Sequence, residues 1–265
     1  LSSQYEILDA QLRDNARGGT CALVVMAKAP RAGKVKTRLS PPLTLEQTAA
    51  LNICFLRDTA RNIASVCEDG NAAGLVCYTP VGDEVAFDGI LPQSFALIAQ
   101  RGDAFGERLL AAAEDILACG FGAVCLIDSD SPTMPVQALA QAVDQLLKPG
   151  DRIVLGGSHD GGYYLIGLKQ AHAAPFERIT WSTGSVYAET FERVREAGLE
   201  LVELPIWYDV DDAVTLAVLE EELLEGRRPQ FAQVDGYDAA ATRMFLQERQ
   251  EILATQRAAE MEAAL

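Results

Sequence analysis

The sequence predicts an α/β fold in a single domain, built as a mostly parallel sheet with helices on both faces. Three observations lead there. Short apolar runs rich in β-branched residues recur along the chain, as expected of strands buried on both sides. Longer stretches with helical periodicity lie between them, and that alternation builds βαβ units. No linker, low-complexity tract or internal repeat divides the 265 residues, and 49% hydrophobic content supplies ample core.

The elements follow in order. LSSQYEILDAQLRDNARGG is polar and reads as a dispensable, helix-prone extension. CALVVMA (21–27) is the first buried strand. After a basic loop, Thr44 and Gln47 fit a capping box that opens an amphipathic helix running to about Val66. AGLVCYT (73–79) and FALIAQ (95–100) are the next strands. Asp103 fits as the cap of a helix from Ala104 to Ala118, stopped at Gly120. AVCLID (123–128) is a strand, and a helix from Pro135 to Leu147 ends before Pro149-Gly150. RIVLGG (152–157) and YYLIGL (163–168) are strands joined by a Gly-rich turn. A helix from Ser185 to Ala197 leads into the strand LELVELPIWYDV, and helices around 212–225 and 238–262 complete the pattern.

Charge narrows the function. The chain carries 38 acidic and 22 basic side chains, a formal charge of −16. Its mean field would repel nucleic acid and anionic membranes alike. Six cysteines (Cys21, Cys54, Cys67, Cys77, Cys119, Cys125) form no C-x-x-C pair, which suits free thiols in a reducing cytosol. Nothing near the start reads as a signal peptide, and CALVVMA is far too short to span a bilayer. The expected location is the cytoplasm.

Parallel sheets bind ligands beyond the carboxyl ends of their strands, and the chemistry-bearing stretches fall there. KAPRAGKVKTRL follows the first strand and places Lys28, Arg31, Lys34, Lys36 and Arg38 within eleven residues, with no acid before Glu46. Ala29, Ala32 and Gly33 let the backbone approach a ligand, while Lys and Arg contact phosphate oxygens. The stretch is neither a P-loop nor a G-x-G-x-x-G turn. LIDSDSP ends the fourth strand with Asp128 and Asp130, which an extended backbone would point the same way. WYDVDD adds Asp209 and Asp211, with Asp212 as a helix cap. Two such pairs on neighbouring strand ends predict a carboxylate cluster holding Mg²⁺ or Mn²⁺. In GGSHDGGYYLIGL, Asp160-Gly161 supplies a turn. The same segment also suits a substrate wall, with the Gly161 and Gly162 amides and Tyr163 or Tyr164 facing a ligand. ITWSTGSVY brings hydroxyls and a helix N-terminus to the crevice, which capping by Ser182 and Thr183 explains equally well.

Together these stretches resemble the glycosyltransferase-A-like proteins of the nucleotide-diphospho-sugar transferase superfamily. The nearest likeness is to its radical-SAM/selenodomain-associated transferase branch, related to 2-phospholactate guanylyltransferase. The family pattern K-x-P-x-x-G-x-x-K-T-R-L is matched by Lys28, Pro30, Gly33, Lys36, Thr37, Arg38 and Leu39. Later blocks are AFGERL (104–109), IDSDSP (127–132), DGGYYLIGL (160–168) and DVDDAVTL (209–216). Asp128 stands where the family commonly has glycine, and Asp212-Ala213-Val214-Thr215 departs from its last block.

The resemblance implies a single-domain GT-A fold over residues 21–225. Residues 1–20 would form an N-terminal extension, and 226–265 a helical one packed on the domain or on a partner subunit. It implies a nucleotide at the first strand–loop unit, with Lys28, Lys36 and Arg38 neutralising charge on the phosphates. Ala27, Pro30, Gly33 and Thr37 would shape that site and Arg108 would add a contact. Mg²⁺ or Mn²⁺ would bridge those phosphates to Asp130 and a late carboxylate, Asp209 or Asp211, with Asp128 as a further candidate ligand. Asp160, Gly161, Gly162, Tyr163 and Trp181 would face the acceptor. So dense a basic loop favours nucleotidyl transfer from an NTP to a small phosphorylated or anionic acceptor. Glycosyl transfer from an NDP-sugar is the alternative, and a non-catalytic nucleotide-binding protein a third. The expected partners are a nucleotide and a small acceptor, with a homo-oligomer open and neither nucleic acid nor membrane involved.

Overall fold

The computed structural model describes residues 3–263. Its strands are β1 (Glu6–Ile7), β2 (Cys21–Lys28), β3 (Ala72–Thr79), β4 (Ala96–Ala99), β5 (Ala123–Ile127), β6 (Arg152–Ser158), β7 (Tyr163–Leu168) and β8 (Glu200–Trp207). They form one sheet in the order β1-β4-β3-β2-β5-β7-β6-β8. β7 runs antiparallel to both neighbours, and every other pairing is parallel. The helices are α1 (Leu45–Val66), α2 (Phe105–Ala118), α3 (Val136–Leu147), α4 (Val186–Glu196), α5 (Ala213–Glu225) and α6 (Ala240–Ala263).

Alternation along the strands divides the core between two faces. In β2, Leu23 and Val25 join Phe55 of α1 and Leu139 of α3 on one side. Ala22 and Val24 join Ile116 of α2 and Val194 of α4 on the other. The apolar runs therefore alternate between faces, and both faces are covered.

Local capping is partly as expected. The Thr44 hydroxyl accepts the Gln47 N–H at 3.2 Å, and the Gln47 side chain accepts the Thr44 N–H at 2.9 Å. Asp103, by contrast, does not cap α2. Ala104 holds the cap position, and Glu107 reaches back to accept the N–H groups of Asp103 (3.2 Å) and Ala104 (3.1 Å). This is the Glu half of a capping box alone, since Ala104 has no side-chain oxygen for the first-turn N–H groups that Asp103 was expected to serve.

The segment ahead of β2 packs onto the fold and, among its described residues, holds β1 and a 3₁₀ turn (Asn15–Gly19) but no α-helix. β1 extends the sheet beyond β4, and Tyr5 and Leu8 are buried. The Tyr5 hydroxyl donates to Leu91 O at 2.9 Å and accepts the Leu91 N–H at 3.1 Å. Residues 1 and 2 lie outside the described residues. All six cysteines are free thiols. Among the described residues no helix is long and apolar enough to cross a membrane.

At the other end, α6 lies across α1 and α5. Its first turn is held by Asp58 of α1, a buried carboxylate that accepts the N–H groups of Ala241 (3.0 Å) and Thr242 (2.7 Å). Beyond Leu246, which is buried, the helix is mostly exposed. Asp58→Ala removes the acceptor for two helix-terminal donors, so it is expected to destabilise the fold by about 1–3 kcal/mol. Denaturant unfolding followed by circular dichroism checks this, and an unchanged midpoint would refute the capping role.

Candidate functional site

The carboxyl ends of β2, β5 and β8 open on the same side of the sheet. Because β7 runs antiparallel between β5 and β6, its first residue also lies there, and the 159–162 turn joins the group. Two adjoining cavities occupy this edge. The smaller, about 240 Å³, is lined by residues including Lys28, Lys34, Lys36, Thr37, Ser129 and Asp130. The larger, about 390 Å³, includes Phe105, Asp128, Asp160, Tyr163, Trp181 and Asp209 in its wall. Arg38 and Asp211 line both.

Lys36 stands between the three loops. Its backbone is left-handed, with φ 48°, a conformation uncommon outside glycine. The side chain is only 5% exposed. Its Nζ donates to Val210 O at 2.7 Å and lies 2.8 Å from Asp130 Oδ1 and 3.0 Å from Asp211 Oδ1. It also approaches the Phe55 ring, 5.7 Å from the centroid. Burial pulls its pKa down, but Asp130 and Asp211 outweigh that and leave it raised, so the ammonium stays charged. Arg38, mostly exposed, pairs with the second oxygen of Asp211. Lys28 and Lys34 are exposed and line the smaller cavity without a carboxylate partner among the described residues.

The four aspartates separate. β5 ends at Ile127 and β8 at Trp207, so both D-x-D pairs lie beyond the strands, the first where the chain bends at Ser129 and Asp130. Asp128 turns inward and accepts the N–H groups of Asp130 and Ser131 (3.1 Å each) and the Ser131 hydroxyl (2.8 Å). Burial, together with the charges of Asp130 and Asp209, pushes its carboxyl well above the usual range. Asp209 accepts the Ser158 hydroxyl at 2.7 Å, and burial raises its pKa too. Among the described residues no three His, Cys, Asp or Glu side chains group closely enough to hold a metal ion. Asp128, Asp130, Asp209 and Asp211 therefore do not gather around one point. Asp130 and Asp211 alone converge, both within 3.0 Å of one ammonium. Two carboxylates fit Mg²⁺, which is commonly held by one or two carboxylates with phosphates and water completing the shell.

In the larger cavity, Trp181 meets Phe105 and Tyr163 edge-on, with centroids 5.0 Å and 6.4 Å apart. Gly106 is small because a Cβ there would press on Phe176 O and the Trp181 indole. Gly161 has φ +91°, and a Cβ would collide with the Gly184 carbonyl. Asp160 accepts the Gly162 N–H at 2.8 Å, closing the turn while remaining exposed. The N-terminus of α4 faces this cavity with its donors already used. Ser185 N–H goes to the Thr183 hydroxyl, Val186 N–H to Thr183 O, and Tyr187 N–H to Gly161 O. The wall therefore offers carboxylates and rings, with Arg38 as its cation, already paired.

Several expected residues stand elsewhere. Arg108 turns back to donate to Asp103 O at 3.2 Å, lies over Phe105, and lines neither cavity. Pro30 and Gly33 shape the loop without lining a cavity, and Ala27 is buried in β2. Asn52 of α1 lines the smaller cavity and carries no motif signal, while Ser129 and Phe105 also line the cavities and lie inside the IDSDSP and AFGERL blocks without having been expected at the site. Asn52 in particular reads as one more polar residue on an amphipathic helix.

Comparisons with known proteins agree with this architecture. Residues 62–183 match a family described as an uncharacterized protein conserved in bacteria (DUF2064). A solved structure from Desulfovibrio desulfuricans G20, provisionally assigned as a nucleotide-diphospho-sugar transferase, is 29% identical. The match covers 89% of this chain and 97% of that one, with a TM-score of 0.73. A CMP:2-keto-3-deoxy-manno-octonic acid synthetase solved with CTP is 12% identical, over 78% of this chain and 100% of its own, with a TM-score of 0.50. That second likeness is one of fold. No curated protein matches the sequence. The chain has the GT-A-like α/β fold of the nucleotide-diphospho-sugar transferases.

The raised carboxyl of Asp128 gives a pH test. Its folded state holds the proton more tightly than the unfolded chain, so its stabilising effect is full below about pH 4. That effect is lost as pH rises through the raised folded value. Asp128→Asn lacks the titration, so its stability relative to the parent should grow between pH 4 and pH 8. Denaturant unfolding in metal-free buffer measures this, and a difference constant with pH would contradict it.

Proposed function

We propose that the protein is a metal-assisted transferase that binds a nucleotide through its phosphates, with nucleotidyl transfer from an NTP as its reaction. One observation carries this reading. Lys28 and Lys34 face a cavity at the end of β2 without acidic partners, in a chain of net charge −16. Unpaired cations facing a cavity attract an anion. The relatives add support, since one of similar fold was solved with CTP.

In this reading the triphosphate lies in the smaller cavity. An oxygen of the acceptor's phosphate attacks the α-phosphorus, the bond to the bridging oxygen breaks, and pyrophosphate leaves with that electron pair. Lys28, Lys34 and Arg38 stabilise the charge gathering on the leaving group. Lys36 acts from within, holding Asp130 and Asp211 in place. Those two carboxylates would hold Mg²⁺ or Mn²⁺, which supplies further neutralisation of the phosphates when bound. The acceptor's reacting phosphate belongs at the shared edge near Arg38, with its uncharged body in the larger cavity, because carboxylates and rings line the rest. This reading retains the radical-SAM/selenodomain-associated branch and the kinship with 2-phospholactate guanylyltransferase suggested by the motifs.

Glycosyl transfer has its own observation. The larger cavity has room for a sugar ring, and Asp160 lines it with an exposed carboxylate. Titration calorimetry with the four NTPs and with UDP- and GDP-sugars, each with Mn²⁺ and with EDTA, separates the two. One NTP should saturate the protein, lose affinity in EDTA and yield pyrophosphate on turnover. Lys28→Glu should weaken that binding at least tenfold, roughly 1.4 kcal/mol or more. Selective saturation by an NDP-sugar would move the assignment to glycosyl transfer, and undiminished binding by Lys28→Glu would remove the lysine from the site.

A further inference from the structure

Asn52 lies on the buried face of α1, with 4% of its surface exposed. Thr48 and Phe55 flank it at helical spacing, and both reach the basic segment. The Thr48 hydroxyl donates to Leu45 O at 2.8 Å and approaches Val35 O at 3.4 Å, while the Phe55 ring faces Lys36. Asn52 therefore comes up beneath residues 34–38, and it lines the smaller cavity beside Lys28, Lys34, Lys36 and Thr37.

Its Oδ1 is buried and has no hydrogen-bond partner among the described residues. Buried side-chain amides are normally bonded, and an unpaired one costs stability. Asn62, nearly three turns further along the same helix, also has an unpartnered Oδ1, but its Nδ2 donates to Met134 O at 2.7 Å and so ties α1 to the loop before α3. Asn52 makes no such tie. The buried face of α1 is mixed, with Leu51, Phe55 and Leu56 beside Thr48, Thr59 and Asn62, and nothing in the helix itself pairs with the amide oxygen at 52. The residue is costly to the free protein and placed against a cation-lined space.

Resting on the reading of that space as a polyphosphate site, we infer that Asn52 is a phosphate-binding residue, whose side-chain NH₂ donates to a non-bridging oxygen of the bound chain from the α1 side. Turning about its last torsion, an asparagine amide presents either its oxygen or its NH₂. A phosphate oxygen accepts but does not donate, so the NH₂ is the end that binds. Lys28 and Lys34 supply charge from flexible stems. Asn52 supplies a fixed neutral donor on a helix, which sets where along the cavity a phosphate comes to rest.

The test uses inorganic tripolyphosphate with Mg²⁺, titrated calorimetrically into the full chain and into Asn52→Leu and Asn52→Ala, with thermal unfolding of each. Asn52→Leu should bind tripolyphosphate about tenfold more weakly or worse, while melting at the same or a higher temperature. The deficit should persist at high salt, whereas the deficit of Lys28→Ala shrinks as ions screen it. Asn52→Ala, which leaves space rather than bulk, should show the same loss if leucine disturbs packing. A variant that melts higher and binds tripolyphosphate as the parent does would overturn the assignment, leaving Asn52 as a site for a buried water at most. If the parent itself fails to bind tripolyphosphate, the phosphate reading of the cavity falls, and this inference with it.

Discussion

One ammonium group holds the functional edge together. Lys36 comes from the loop after β2, Asp130 from the loop after β5, and Asp211 and Val210 O from the loop after β8. Three chain segments remote in sequence thus meet on one nitrogen, and each of its three protons has an acceptor. A charge 5% exposed is tolerable only when so completely bonded. The left-handed backbone at Lys36 is part of the arrangement, since it turns the side chain back under its own loop. Neighbouring Thr37 and Arg38 stay exposed. With the three loops tied, the walls of both cavities are set before any ligand arrives, which is the preorganisation that electrostatic catalysis needs.

The same interaction divides the charge. Asp130 and Asp211 are drawn to Lys36 and Arg38, so the lysines nearer the surface, Lys28 and Lys34, keep their charge uncompensated toward the smaller cavity. On the far side of the Arg38–Asp211 pair, Asp128, Asp160 and Asp209 face the larger cavity. Burial raises the pKa of Asp128 and Asp209, which limits the negative charge gathered there. Two adjoining spaces therefore differ in sign across a single ion pair. A ligand with an anionic end and a neutral body matches that polarity; a ligand charged at both ends does not.

Much of this was legible in the sequence because it depends on local pattern. The buried strands, the Thr44–Gln47 capping box and the crowded cations of 28–38 are properties of neighbouring residues. What escaped depends on tertiary context. β1 is two residues long and shows no periodicity, yet Tyr5 and Leu8 are buried against the sheet edge. Asp103 is a good capping residue by type, but α2 begins one residue later and leaves Ala104 at the cap. The D-x-D pairs promised parallel carboxylates only if the strands continued through them, and both strands stop short. Arg108 belongs to a family-like block and still turns away from the site, held by Asp103 O and Phe105. Asn52 is invisible in sequence, because only the fold shows that its helix face underlies the basic loop.

The reversed strand explains why the second cavity lies where it does. In a sheet running one way throughout, a strand's amino end lies opposite its neighbours' carboxyl ends, and the connection after β6 would have led away from the site. β7 instead enters at that edge and descends between β5 and β6, so the turn that reverses the chain must stand over the carboxyl ends. The glycines follow from this crowding. A side chain at Gly156 would strike the Tyr164 ring, and one at Gly161 would strike Gly184 O. Tyr164 itself crosses beneath the turn to donate to Pro205 O at 2.8 Å, fastening β7 to β8. Asp160, Gly162 and Tyr163 thereby become the wall opposite the basic loop. One topological choice, a single antiparallel strand inside a parallel sheet, converts an open crevice into a cavity with two chemically different ends.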